Sequence, residues 1–247
     1  MSRRAFRAAV LCYHSVTDDW PDALSIGAGT LERQVRMFLR LGYRPASLDE
    51  SVDGSRRTLH VSFDDAFRNV RSALPILERL GVPVTVFACT GYADDGRPLD
   101  VPELAERRRG YEHALSTMRW DELRALSQRG IEIGSHAVSH PHLPRLDDAE
   151  LDRELLESRT HIEDELGRPC RYLAYPFGDV DERVRAATRR AGYVAAFALP
   201  GPVRPSDLYE LPRVGIYRGD GLPRLLLKSS VVARRAAASS RSLRSGV

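Results

Sequence analysis

The chain has 247 residues, enough for one large α/β domain to bury a substantial core, and its 43% hydrophobic and 29% charged residues are those of an ordinary globular protein. A net charge of +3, with Lys228 the single lysine, leaves no electrostatic footprint for nucleic acid. Cys12, Cys89 and Cys170 lack metal-type spacing, the apolar run after the basic amino terminus is too short for a secretory leader, and nowhere are there eighteen consecutive apolar residues, so a cytoplasmic protein without a membrane span is expected.

Strand-like runs fall near residues 8–13, 58–63, 83–88, 131–135, 172–175, 193–197 and 211–217 and alternate with helix-like segments. That alternation predicts parallel strands with crossover helices, in a barrel or an open sheet. Thr30 is expected to cap a helix that ends at Gly42, with Leu31, Val35, Phe38 and Leu39 as its apolar face. Residues 91–117, rich in Gly, Asp, Arg and Glu, read as an insertion after the third strand, either bordering the active site or a plain surface excursion. Asp147 starts a long helix whose buried side is marked by Leu151, Leu155, Ile162 and Leu166. The main domain is expected over residues 1–221. Residues 222–247 then form a basic helix and a disordered tail, with contact to a membrane surface as the lesser reading.

Two segments carry the chemistry. Ser62-Phe63-Asp64-Asp65 and Ser135-His136-Ala137-Val138-Ser139-His140 each close a strand-like run, and in α/β proteins the carboxyl ends of strands surround a common crevice. Asp65, His136 and His140 make a three-ligand set for a catalytic zinc, and the four-residue histidine spacing puts both rings on one side. A divalent metal there lowers the pKa of bound water and polarises a carbonyl, which is hydrolytic chemistry, and Asp64 is left free as general base. Taken singly, an Asp-Asp pair reads as a helix cap and Ser-His as chance; their joint position behind two strands favours the site. His60 is expected to pack within its strand, and His113 and His161 to be solvated. His142 rivals His140, because Pro141 can turn it toward the metal.

With these motifs the chain resembles the polysaccharide deacetylases of the NodB-homology type, carbohydrate esterase family four. Val10-Leu11-Cys12-Tyr13-His14-Ser15-Val16, Trp120-Asp121-Glu122-Leu123 leading to Gly130-Ile131-Glu132-Ile133-Gly134, Arg171-Tyr172-Leu173-Ala174-Tyr175-Pro176-Phe177-Gly178, and Leu211-Pro212-Arg213-Val214 extend the likeness over roughly residues 6–217. The resemblance implies a single-domain distorted (β/α)7 barrel. It also implies metal-dependent removal of acetyl groups from N-acetylated or O-acetylated sugars, with zinc the default metal and an acetylated saccharide the partner. Asp64 carries over as base, and Asp65, His136 and His140 as ligands. A backbone N–H near Tyr175 or Phe177 is expected to stabilise the oxyanion.

Three departures from the family pattern matter. Ala66 stands where Gly is usual. Ala174 stands where many members have an Arg, which leaves Arg171 or Arg213 to orient the base. The late Leu-x-His that supplies the general acid is absent, and His14, at the end of the first strand, takes that place by analogy with a branch of rearranged motif order. Hydrolysis of a non-sugar cyclic amide is an alternative that keeps the metal site. A catalytically silent saccharide-binding domain is another, although such a domain has no need of a base beside three ligands.

Overall fold

The computed structural model describes residues 6–199 and 207–230. In chain order the strands are β1 (Ala9–Tyr13), β2 (Ser15–Val16), β3 (Ser25–Ile26), β4 (Arg44–Pro45), β5 (Thr58–Phe63), β6 (Val84–Ala88), β7 (Glu132–Ser135), β8 (Tyr172–Ala174), β9 (Ala195–Ala198), β10 (Leu211–Pro212) and β11 (Val214–Gly215). The helices are α1 (Ala28–Arg40), α2 (Leu48–Ser51), α3 (Leu74–Arg79), α4 (Trp120–Gln128), α5 (Asp148–Leu166), α6 (Glu182–Arg190) and α7 (Leu222–Ser229).

The main sheet is parallel throughout and runs β10-β9-β8-β7-β6-β5-β1-β11, with β4 beside β5. Its two ends belong to one stretch of chain. Leu211 pairs with Phe197 of β9, and Val214 pairs with Leu11 of β1. The chain therefore crosses from one edge of the sheet to the other within a few residues and draws it into a nearly closed, single-domain barrel of seven strand positions. An isolated edge would leave a row of unpaired backbone groups, which closure removes.

Side chains alternate across each strand, and the two faces form separate cores. Val10, Phe87, Tyr172, Ala174, Phe197 and Leu211 pack together inside the barrel. Leu11, Val61, Val86, Ile133 and Leu173 face outward and join the helices in a larger cluster. His60 shares the inward face, with Nδ1 2.9 Å from the Ala46 carbonyl and Nε2 2.9 Å from Thr85 Oγ1. It is the packed strand histidine that the sequence predicts.

The first helix starts three residues earlier than its apolar pattern suggests. Gly27, in extended conformation, is the cap, and Thr30 lies inside α1. Leu31, Val35 and Phe38 are fully buried, each contributing on the order of 1.5–3 kcal/mol relative to exposure. Asp147 caps α5 through a reciprocal pair with Glu150, accepting from the Glu150 N–H at 2.8 Å. Insertion residues 91–117 hold short 3-10 turns. The helix expected from Leu222 is α7; Leu225 is buried, and Lys228 donates to the Gly215 carbonyl at 3.0 Å. The tail expected to be disordered lies outside the described residues. Cys12, Cys89 and Cys170 are free and buried, and no described helix is long and apolar enough to cross a membrane.

Candidate active site

β5 delivers the two aspartates. His60, Ser62 and Asp64 fall on its inward face, and the Asp64 N–H still donates to the Tyr13 carbonyl at 2.9 Å, which keeps it in the ladder. The chain then turns through left-handed backbone at Asp65 and Ala66, with φ of 67° and 51°, and this reversal lets neighbouring carboxylates reach one space. β7 ends on Ser135, and the histidine segment that follows is a tight loop rather than a helical turn. Ala137 and His140 are left-handed within it. Glu154 of α5 holds the loop, accepting from the Val138 N–H at 2.8 Å, the Ser139 N–H at 2.9 Å and the Ser139 hydroxyl at 2.6 Å.

These loops bring Asp65, His136 and His140 together. Asp65 Oδ1 lies 3.6 Å from His136 Nε2 and 3.4 Å from His140 Nε2. Atoms that share a tetrahedral zinc at about 2.1 Å are themselves roughly 3.4 Å apart. The His136 Nδ1–H donates to the Ala174 carbonyl at 2.7 Å, a bond that leaves Nε2 bare toward Asp65. Asp65 Oδ1 is buried without a hydrogen-bond partner. Burial, and then the Asp64 carboxylate, push the Asp65 carboxyl well above its usual range. Burial also keeps both imidazoles neutral by lowering their pKa values. An orphaned carboxylate oxygen and two bare imidazole nitrogens are a donor set that fits a divalent cation.

Asp64 is held differently. Burial alone would raise its pKa, but the Arg213 guanidinium overrides that and keeps it well below the carboxylate range. Arg213 reaches both oxygens, NH1 to Oδ1 at 2.6 Å and NH2 to Oδ2 at 2.8 Å. It arises between β10 and β11 and lies over the Phe87 ring in the barrel interior. The Cys12 thiol donates to Asp64 Oδ2 at 3.3 Å. Cys12, His14 and Asp64 each place an atom within 4.8 Å of the other two. His14 Nδ1 is buried without a partner, and burial lowers its pKa to about 4.

Asp64, Asp65, His14, His136 and His140 open into one cavity of about 240 Å³, together with Phe177 and Tyr217. Two sequence expectations need correction. Arg171 stands just before β8, at the amino end of its strand, and pairs with Asp49 instead of Asp64. The Tyr175 N–H donates to the Phe197 carbonyl at 3.0 Å and its hydroxyl to the Tyr209 carbonyl at 2.8 Å, so sheet pairing has already used the donor proposed for an oxyanion. Phe177, left-handed at φ 58°, is the member of that pair at the cavity. His142 does not replace His140: its ring nitrogens face Asp179 and Glu103 on the rim.

Sequence reading did not anticipate Glu154, although the signal was present. It sits at helical spacing among Leu151, Leu155, Ser158 and Ile162, all buried, and a carboxylate in such a stripe requires partners.

The family described as polysaccharide deacetylase matches residues 51–196. YxkH of Bacillus subtilis (strain 168), whose name places it among polysaccharide deacetylases, is 23% identical over 220 residues, covering 85% of this chain and 71% of its own. Among solved structures, the Streptococcus pyogenes deacetylase PplD in complex with acetate superposes with a TM-score of 0.74 at 17% identity, over 92% of this chain and 100% of that one. IcaB from Ammonifex degensii gives 0.71 at 22% identity, over 94% and 98% respectively. Both share the barrel fold described above.

Proposed function

The chain belongs to the polysaccharide deacetylase family, and on that footing we propose that it is a metal-dependent hydrolase that removes acetyl groups from N-acetylated or O-acetylated sugars. The observation that carries the reading is the placement of an Arg-held, ionised Asp64 beside the Asp65, His136 and His140 donor set, His136 Nε2 lying 3.9 Å from Asp64 Oδ2. Asp65, His136 and His140 would hold the cation, with zinc the first candidate. When bound, a divalent ion there supplies Lewis acidity toward the acyl oxygen and acidifies water.

The remaining work falls to side chains of this protein. Asp64 takes the proton of the attacking water, and Arg213 keeps that carboxylate ionised and fixes its plane. That proton then has to reach the leaving group. His14 is the nearby imidazole that can deliver it to the departing amine. The backbone N–H of Phe177 serves the developing oxyanion. A silent saccharide-binding domain would have no use for a buried, clamped carboxylate beside three ligands.

The test is acetate release from a panel of acetylated saccharides, with metal content measured in parallel. One bound equivalent of metal with no acetate from any saccharide would overturn the reading.

A further inference from the structure

Asp64 and His14 also belong to a second cluster of ligand-type side chains, completed by a cysteine. Cys12 follows Val10 by two residues on β1 and so shares its inward face, and His14 comes two residues later at the cavity. Cys12, His14 and Asp64 each place one ligand atom within 4.8 Å of the other two, and Cys12 Sγ is already 3.3 Å from Asp64 Oδ2. Sulfur, oxygen and nitrogen atoms that share a tetrahedral zinc, at about 2.3 Å for sulfur and 2.1 Å for the others, stand roughly 3.4–3.6 Å apart. His14 Nδ1 is buried without a hydrogen-bond partner, so nothing at that atom opposes the small ring movement that closes the set. None of the three residues belongs to the Asp65, His136 and His140 group.

Charge decides which ion the cluster accepts. The Arg213 guanidinium sits on Asp64 at 2.6 and 2.8 Å and opposes a cation that finds no more than a carboxylate and a neutral imidazole. A thiolate at Cys12 adds the charge that offsets the guanidinium. Burial holds the pKa of this thiol well above its usual value, so entry is restricted to a metal whose bond to sulfur outweighs that cost. The Cys12 S–H bond then breaks, its proton leaves to solvent and a sulfur–metal bond forms. Magnesium and manganese, which favour oxygen ligands, fail this requirement, whereas zinc meets it. Cys89, the other buried thiol nearby, donates to the His136 carbonyl at 3.6 Å and belongs to neither group.

We propose that Cys12, His14 and Asp64 form a second metal site, selective for thiophilic divalent ions, whose occupation switches the protein off. An ion held there takes a lone pair from the proposed base and another from the proposed acid, while the first ion stays on Asp65, His136 and His140. Binding at the cluster stands on its geometry, and its inhibitory consequence rests on the deacetylase reading.

The test loads the full-length protein with one equivalent of zinc and titrates it with cobalt(II), following metal content, near-ultraviolet absorption and acetate release. Expected are one further equivalent of metal, a sulfur-to-cobalt charge-transfer band that grows with it, and a parallel loss of acetate release that an equal dose of magnesium does not cause. Cobalt exchanged into the first site has no sulfur ligand and gives no such band. Cys12→Ser should remove the band and weaken the second site by more than the roughly 10- to 100-fold that loss of an outer-sphere partner costs. It should keep the first zinc, which reports that the variant is folded, and Cys89→Ala should leave the band in place. Uptake without the band, no uptake beyond one equivalent in total, a band that survives in Cys12→Ser, or a band without loss of acetate release would overturn the inference and leave the deacetylase reading standing. No acetate release before any cobalt is added would remove that reading, and the band would then decide the site alone.

Discussion

Arg213 holds both carboxylate oxygens of Asp64, at 2.6 and 2.8 Å, with neither side chain open to solvent. A bidentate guanidinium fixes direction as well as charge, so Arg213→Lys should keep the protein folded and lower kcat with little change in KM. Arg213→Ala leaves a buried carboxylate unpaired and should cost about 3–5 kcal/mol. Arg213→Met/Asp64→Asn should recover much of that loss in urea denaturation. A double variant no more stable than Arg213→Ala would show that the pair is not the source of the cost.

His136→Ala and His140→Ala should each lose bound metal. Asp64→Asn should retain it while losing turnover by roughly a hundred- to ten-thousand-fold, the range of a missing general base. Elemental analysis of the three purified variants, beside acetate-release rates, separates the roles. Undiminished metal in both histidine variants would sink the ligand assignment.

His14→Ala should depress N-deacetylation far more than hydrolysis of an activated acetate ester, with metal content unchanged. An amine needs a proton to depart, whereas an activated phenol leaves without one. Equal losses on both substrates would make His14 a packing residue.

His60 ties the interior of the barrel to acid stability. Burial lowers its pKa to about 4 in the folded chain, against about 6.5 unfolded. As pH falls the unfolded state takes up the proton first. Stability is therefore lost between about pH 6.5 and 4, on the order of 3 kcal/mol from this group. His60→Asn should flatten that part of the curve when denaturation at pH 7 is compared with pH 4.5. An unchanged difference between the two pH values would refute the assignment.

Ala66 occupies left-handed backbone, φ 51°, with its methyl group buried. Glycine there relieves roughly 1–2 kcal/mol of steric cost but gives up about 0.5–1 kcal/mol of chain entropy and about 0.8 kcal/mol of methyl burial. Ala66→Gly should therefore be close to neutral, and Ala66→Val should lower Tm sharply. A valine variant as stable as wild type would show that the turn adapts.

The barrel strands and the aspartate and histidine segments were legible because they are local patterns. Short, nearly continuous apolar runs mark the strands, which are buried on both faces, and each chemical segment directly follows one. The choice between Arg171 and Arg213 is a tertiary matter, yet strand direction holds part of the answer. Arg171 precedes β8 and so belongs to the end of the barrel away from the crevice, whereas Arg213, two residues after the inward Leu211, shares the interior face with Asp64. Tyr175 was misread because the sheet bonds run one residue beyond β8. The Thr30 cap was misread because Gly27 opens the helix without any side-chain bond. The walls of the cavity were the least legible part, since tethers such as Glu103 to His142 join segments with no shared pattern.

Arg213 lies 149 residues after the carboxylate it serves, at the point where the last barrel stretch passes from β9 to β1. A growing chain thus acquires its proposed base and all three proposed ligands long before it acquires the guanidinium that holds Asp64. The same late stretch pairs with both β9 and β1, so the clamp on the carboxylate and the closure of the barrel come with one stroke of assembly.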